Sequence, residues 1–171
     1  MRNNDLVWYA CYGSNLSYDR FLHYIQGGWY EGKWYEPCSD PTPPRDSRIR
    51  SYRGRMYFAN RSRWEGKGAA FFDPDGEESV IMRLYLITRE QLAHVKTKEC
   101  DRAEWYGREV RLGEEDGIPV ITLTSARPNP FNAPSMRYVE VIRNALIREC
   151  GISEEETGEY LNHCLKGGIT E

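Results

Sequence analysis

Residues 9–16 read Tyr9-Ala10-Cys11-Tyr12-Gly13-Ser14-Asn15-Leu16, and the fold turns on what stands to either side of them. The run Leu6-Val7-Trp8-Tyr9-Ala10 has the length and the β-branched and aromatic content of a buried strand. Residues 17–26 instead carry Tyr18, Phe21, Leu22 and Ile25 at helical spacing, with Ser17 as cap and Gly27-Gly28 as stop. The chain therefore turns between a strand and a helix. Gly13 removes the Cβ that would hold a ligand away from the main chain, and the amides that follow can converge at a helix mouth. Such a turn suits a carboxylate or a developing oxyanion. The same three letters, Gly-Ser-Asn, are ordinary turn and cap residues, so the local string also admits a purely structural reading.

The bulk properties narrow the field. A chain of 171 residues, 40% hydrophobic and 29% charged, suits one soluble globular domain over 1–171. With a net charge of -3 it carries no overall electrostatic footprint for nucleic acid or an anionic membrane. Arginines gather between Arg45 and Arg63, but acidic residues balance them elsewhere, which reads as a solvated strand face. No apolar run reaches the roughly 20 residues of a membrane span. The opening Met1-Arg2-Asn3-Asn4-Asp5 is not a signal peptide, so a cytoplasmic location is expected.

Five cysteines, Cys11, Cys38, Cys100, Cys150 and Cys164, are odd in number, widely spaced and free of any Cys-x-x-Cys pair. With His23, His94 and His163 far apart, neither a disulfide framework nor a metal site is expected. Cys11, just before a helix, is the one thiol with the placement of a nucleophile, although a buried strand-end role fits it equally simply.

Further along, residues 27–44 form an insertion holding Trp29-Tyr30-Glu31, Trp34-Tyr35-Glu36 and a Pro-rich tail. It reads as a lid, a partner surface or an aromatic-pinned loop. Residues 55–59, 68–72 and 79–87 have strand character, the last two divided by the turn signal Asp73-Pro74-Asp75-Gly76. Residues 106–112 and 118–125 read as two more strands, joined at Glu114-Glu115-Asp116-Gly117. About six strands with few intervening helices predict an α+β fold, a small curled or barrel-like mixed sheet with flanking helices.

Between these strands, Thr88 and Gln91 have capping-box spacing and predict a helix from Arg89. Leu92 and Val95 mark its apolar side, and Glu99 falls one turn further along the same stripe. A carboxyl on a buried stripe is a local contradiction of the kind found at functional sites, since burial and the helix C-terminus both raise its pKa. The alternatives are a solvated Glu99 and a Glu99–Arg102 pair. Residues 127–134 form a loop, Ser135 caps a helix to about Cys150 through Val139, Ile142 and Leu146, and Ser153 with Glu156 opens a last helix that buries Tyr160, Leu161 and Leu165 and ends at Gly167.

Three of these stretches, in order, resemble the gamma-glutamylcyclotransferase family: Tyr9-x-x-Tyr12-Gly13-Ser14-Asn15-Leu16, Glu99 with Tyr106 seven residues on, and Pro134-Ser135-x-x-Tyr138. The context Val95-Lys96-Thr97-Lys98-Glu99-Cys100 departs from the acidic, Gly-containing surroundings usual there. The resemblance implies that family's barrel-like α+β fold and an intramolecular acyl transfer that releases 5-oxoproline and a free amine from a small-molecule γ-glutamyl substrate. It implies Glu99 as the catalytic base and Tyr9, Ala10, Cys11, Tyr12, Gly13, Ser14, Asn15 and Tyr138 around the substrate, with no metal or organic cofactor. A homodimer is compatible with it. Two other readings stand beside it: a non-catalytic module that captures a small carboxylate or peptide end, and an amidohydrolase using Cys11 with a histidine.

Overall fold

A computed structural model describes residues 5–99 and 102–166; Cys100 and the helix stop expected at Gly167 lie outside them. The chain runs β1 (Leu6–Cys11), a 3-10 turn (Ser14–Leu16), α1 (Tyr18–Gln26), β2 (Gly28–Tyr30), β3 (Lys33–Tyr35), β4 (Ser47–Ala59), β5 (Ala69–Thr88), α2 (Arg89–Lys98), β6 (Arg108–Glu115), β7 (Ile118–Thr124), α3 (Met136–Arg148) and α4 (Glu154–Lys166). Five strands form a mixed sheet in the order β4-β5-β1-β7-β6, while β2 and β3 pair as a separate hairpin. The expected α+β class and curled mixed sheet are present.

β1 is central because both its edges are used. It pairs antiparallel with β5 from Leu6 opposite Thr88 to Cys11 opposite Arg83, and parallel with β7 at Trp8 opposite Val120. A strand covered on both faces reads as a continuous apolar run, which is why Val7 through Cys11 are all buried. α1 docks on this centre through Phe21, whose ring stacks on Tyr85 at 4.2 Å and on Tyr9 at 5.4 Å. Full burial of one such side chain contributes about 1.5–3 kcal/mol.

The strands at 68–72 and 79–87 are corrected to a single strand, β5, and its partner β4 begins well before residue 55. The register passes from Gly54 opposite Glu78 directly to Arg55 opposite Asp73, so residues 74–77 bulge out of the ladder. The turn signal is real, but it makes a bulge within one strand instead of reversing the chain. An insertion of this kind bends and twists a hairpin sharply. The bend carries Phe72 to the end of β7, where the Thr124 hydroxyl donates to the Phe72 carbonyl at 2.6 Å and accepts from its amide at 3.1 Å. The arginine-rich face of β4 is neutralised as expected, Arg48 and Arg50 pairing with Glu115 and Arg53 with Glu77.

The insertion is ordered by buried polar bonds. Gln91 closes the capping box with Thr88 at 3.0 and 3.1 Å and also donates to the carbonyls of Asp40 and Thr42, each at 2.9 Å. Among the described residues, no helix is long and apolar enough to cross a membrane.

Gly54 makes the bend sterically possible, since a Cβ there would lie 2.3 Å from the Phe72 ring. Gly54→Ala should therefore destabilise the protein by about 2 kcal/mol or more in urea unfolding. A loss below about 0.5 kcal/mol would show that the bend does not need this approach.

Candidate active site

The turn after β1 is held from four sides. Tyr85 donates its hydroxyl to the Asn15 carbonyl at 2.8 Å, Arg83 donates to the Leu16 carbonyl at 3.0 Å, Tyr12 to the Leu123 carbonyl at 2.7 Å, and Thr122 to the Ala10 carbonyl at 2.7 Å. The Leu16 and Ser17 amides bond back to the Gly13 and Ser14 carbonyls. The amides of Gly13 and Asn15 are not consumed by these bonds. A turn held so rigidly is what main-chain amides that meet an oxyanion or carboxylate require.

Beside the turn lies a cavity of about 500 Å³. Tyr9, Cys11, Tyr12, Gly13, Ser14, Asn15, Glu99 and Tyr138 all line it, joined by Tyr106. Ala10 does not; it is fully buried in the sheet. Gly13 also has a different neighbour from the one anticipated. A Cβ at this position would stand 2.9 Å from the Tyr138 hydroxyl and 3.4 Å from the Ala70 Cβ, so the glycine admits a tyrosine from α3 as well as exposing main chain. Tyr138 is 3% exposed, accepts from the Ala70 amide at 3.1 Å, and has its pKa pushed up to about 12 by burial above all. It is a neutral phenol at any physiological pH.

Glu99 caps the C-terminal end of α2, its amide bonding the Val95 carbonyl at 2.9 Å. Its Oε1 accepts from Asn15 Nδ2 at 2.7 Å, and the neighbouring Tyr24 hydroxyl also favours the ionised form. The carboxyl is thus neither solvated at the surface nor paired with Arg102. It is partly accessible through the cavity mouth, yet protein surrounds it. Burial is the largest influence and raises its pKa, while Tyr24, Asn15 and the positive charges of Arg20 and Lys33 act in the opposite direction; the net shift is upward. Because an ionised carboxylate only accepts, the Asn15 amide must turn its nitrogen toward Glu99, which leaves Oδ1 buried without a partner among the described residues. An unsatisfied buried acceptor next to a carboxylate is well suited to an ammonium group.

Cys11 lines the cavity but donates its thiol to the Arg83 carbonyl at 3.3 Å, and burial holds its pKa well above the usual thiol range. None of the three histidines lines the cavity. The geometry therefore favours the structural reading of Cys11.

Tyr106 joins the site, and Arg20, Glu31, Trp64 and Arg137, which carry no motif of their own, line it too. Tyr106 precedes β6 instead of opening it; it donates to the Ala70 carbonyl at 2.7 Å and stacks on Phe71 at 5.0 Å. Arg20, on the polar face of α1, lies over the Trp64 ring at 4.6 Å, and Arg137 lies over the same ring at 5.6 Å. Glu31, in the tight turn between β2 and β3, bridges these arginines at 3.3 Å to each. The insertion is thereby split by side: Tyr30, Glu31, Lys33 and Tyr35 face the cavity, whereas Trp29 and Trp34 pack edge to face outside it, 70% and 48% exposed.

No protein-family model matches the chain. Among curated proteins, Histone deacetylase 5 of Arabidopsis thaliana is 29% identical over 202 aligned positions, which cover 93% of this chain and 31% of that protein. The chain thus spans about a third of the length of the curated relative it matches. Among solved structures, a gamma-glutamyl cyclotransferase superposes with a TM-score of 0.65 at 17% identity, over 91% of this chain and 86% of that one. Uncharacterized protein loc79017 from Homo sapiens gives 0.65 at 17% identity over 92% and 87%, and YkqA from Bacillus subtilis gives 0.63 at 19% over 94% and 54%. The chain has the gamma-glutamyl cyclotransferase fold.

The close approach of Gly13 and Tyr138 is open to a double-mutant cycle. Gly13→Ala alone should cost about 1–3 kcal/mol by overpacking, and a large part of that loss should vanish in a Tyr138→Phe background, where the hydroxyl is gone. Strictly additive losses would mean that the two residues do not share this space.

Proposed function

We propose that the protein is a γ-glutamyl cyclotransferase, cyclising the γ-glutamyl end of a small substrate to 5-oxoproline with release of the amine. The carrying observation is the desolvated Glu99 carboxyl, hydrogen-bonded to Asn15 of the turn. The shared fold supports this reading, as do the three sequence stretches around one cavity.

In this reading the substrate α-ammonium donates to Glu99 and to the open Oδ1 of Asn15. Glu99 takes one proton, and burial has made it a stronger base for that step. The freed amine attacks the side-chain amide carbon; the carbonyl π bond opens to an oxyanion facing the Gly13 and Asn15 amides. Tethering of nucleophile and electrophile in one molecule removes much of the entropic barrier. Glu99 then gives its proton to the leaving nitrogen as the carbon–nitrogen bond breaks, and the extra proton on the ring nitrogen ends on the released amine. Tyr138 and Tyr106 orient the glutamyl chain against the turn.

A second reading keeps the same cavity as a binding module. The fact in its favour is that the chain corresponds to one segment of a longer curated relative.

The test is 5-oxoproline release from a panel of γ-glutamyl dipeptides and amines. Wild type should turn over at least one member, and Glu99→Gln, still folded, should lose about 10³-fold or more in kcat/KM. Because the Glu99 pKa is raised and the base must be ionised, the acidic limb of the wild-type profile should lie above the ordinary glutamate range of about 4.3. Binding of panel members without release would replace the enzyme with the binding module, and full activity in Glu99→Gln would remove the proposed base.

A further inference from the structure

The charge lining the cavity is lopsided. Arg20, Lys33, Arg61, Arg63, Lys98 and Arg137 contribute six cations, against the two carboxyls of Glu31 and Glu99. Glu99 is held by the Asn15 amide. Glu31 is occupied with Arg20 and Arg137. Among the described residues, Lys33, Arg61, Arg63 and Lys98 form no ion pair with any carboxyl of the chain, although elsewhere on the molecule arginines such as Arg48, Arg50 and Arg83 are matched. The unmatched cations also sense one another. Burial first, then the charges of Arg63, Lys98 and Arg20, pull the Lys33 pKa down.

The arrangement is built and not merely decorated with charge. Arg20 is only 12% exposed in its side chain, lies over the Trp64 and Tyr30 rings at 4.6 and 5.8 Å, and keeps a buried Nε without an acceptor among the described residues. Glu31 demonstrates the chemistry of the place, since a carboxylate already spans Arg20 and Arg137. That glutamate adopts φ 47 in the hairpin turn, a left-handed conformation that favours glycine. The turn accepts that cost at the one position whose side chain bridges the two arginines.

A γ-glutamyl group brings one carboxylate and one ammonium. The ammonium is matched by Glu99, and the carboxylate by the turn amides or a single cation. Several cations then remain for whatever is attached to the γ-carbonyl. A neutral amine would leave all of them uncompensated, and a single carboxylate most of them. We propose that the cation-lined part of the cavity is a subsite for a multiply anionic leaving group, an amine bearing two or more carboxylates, held by Lys33, Arg63 and Lys98 beside the Arg20–Arg137 pair. The word leaving rests on the cyclotransferase reading; the anion subsite itself does not.

Calorimetric titration of the full-length Glu99→Gln protein measures binding without turnover. Three probes carry stepwise more charge beyond the γ-carbonyl: γ-glutamylethylamide with none, γ-glutamylalanine with one, and γ-glutamylglutamate with two, with γ-glutamylglutamine as the uncharged-side-chain control for size. Affinity should rise about 5- to 10-fold with each charge, and the spread should shrink in about 0.5 M salt. Adding Lys33→Glu or Arg63→Glu, both at exposed positions, should weaken γ-glutamylglutamate by about 10-fold and γ-glutamylethylamide by less than about 2-fold. Equal affinities for the three probes, no binding of any, or a charge ladder untouched by both reversals would overturn the proposal. If wild type releases no 5-oxoproline while the ladder and its loss stand, the cyclotransferase reading falls and the anion subsite remains.

Discussion

The hydrogen bond from Asn15 Nδ2 to Glu99 Oε1, 2.7 Å long, is the constraint to which the rest of the structure answers. It joins the turn after the central strand to the C-terminal end of α2, two segments 84 residues apart. A carboxylate at a helix C-terminus and out of bulk water is electrostatically unfavourable, so it persists only where donors are fixed in advance. Asn15 is fixed because Tyr85 holds its carbonyl, and Tyr85 is fixed because it is a fully buried residue of β5 stacked against Phe21. α2 is fixed by its capping box and by Leu92 and Val95 in the core. The sheet and the helix packed on it thus fix the position of one charged group.

The insertion lines the same cavity. Its hairpin contributes Tyr30, Glu31, Lys33 and Tyr35 to the lining, while Gln91, a capping residue of the helix that ends at Glu99, anchors its Pro-rich tail. One helix therefore orders both the Glu99 carboxyl and the segment that shares the cavity with it.

Much of this was legible from the chain alone, and the reasons are physical. Residues 6–26 combine a continuous apolar run, a turn and an amphipathic run, and only a strand buried on both faces followed by a helix accommodates them. Thr88, Gln91, Leu92, Val95 and Glu99 likewise announce a capped helix with a carboxyl out of place. What stayed hidden depends on partners distant in sequence. Ser47–Ala59 alternates arginines with small and aromatic residues and looks like loop or solvated face until Glu115 and Glu77 are set beside it. Asp73-Pro74-Asp75-Gly76 has the composition of a chain reversal, and only the register against Gly54 turns it into a bulge. Arg20 is one more charge on the polar side of an amphipathic helix, and nothing local says that Trp64 will lie beneath it. Ala10 belongs to the opening motif by sequence, but strand alternation turns it into the sheet while Tyr9 and Cys11 line the cavity.

The measurement that bears most directly on a desolvated, neutral-donor-held carboxyl as the centre of the site is its own titration. With glutamate side-chain carboxyls labelled with ¹³C and the Glu99 resonance assigned by its disappearance in Glu99→Gln, the chemical shift followed against pH reports the midpoint. The account predicts a midpoint above the ordinary glutamate value of about 4.3, moving further upward in Tyr24→Phe, where the ionised form loses that hydroxyl. A midpoint at or below the ordinary value, unmoved by Tyr24→Phe, would mean that Glu99 is solvated in solution and that the site is not organised around it.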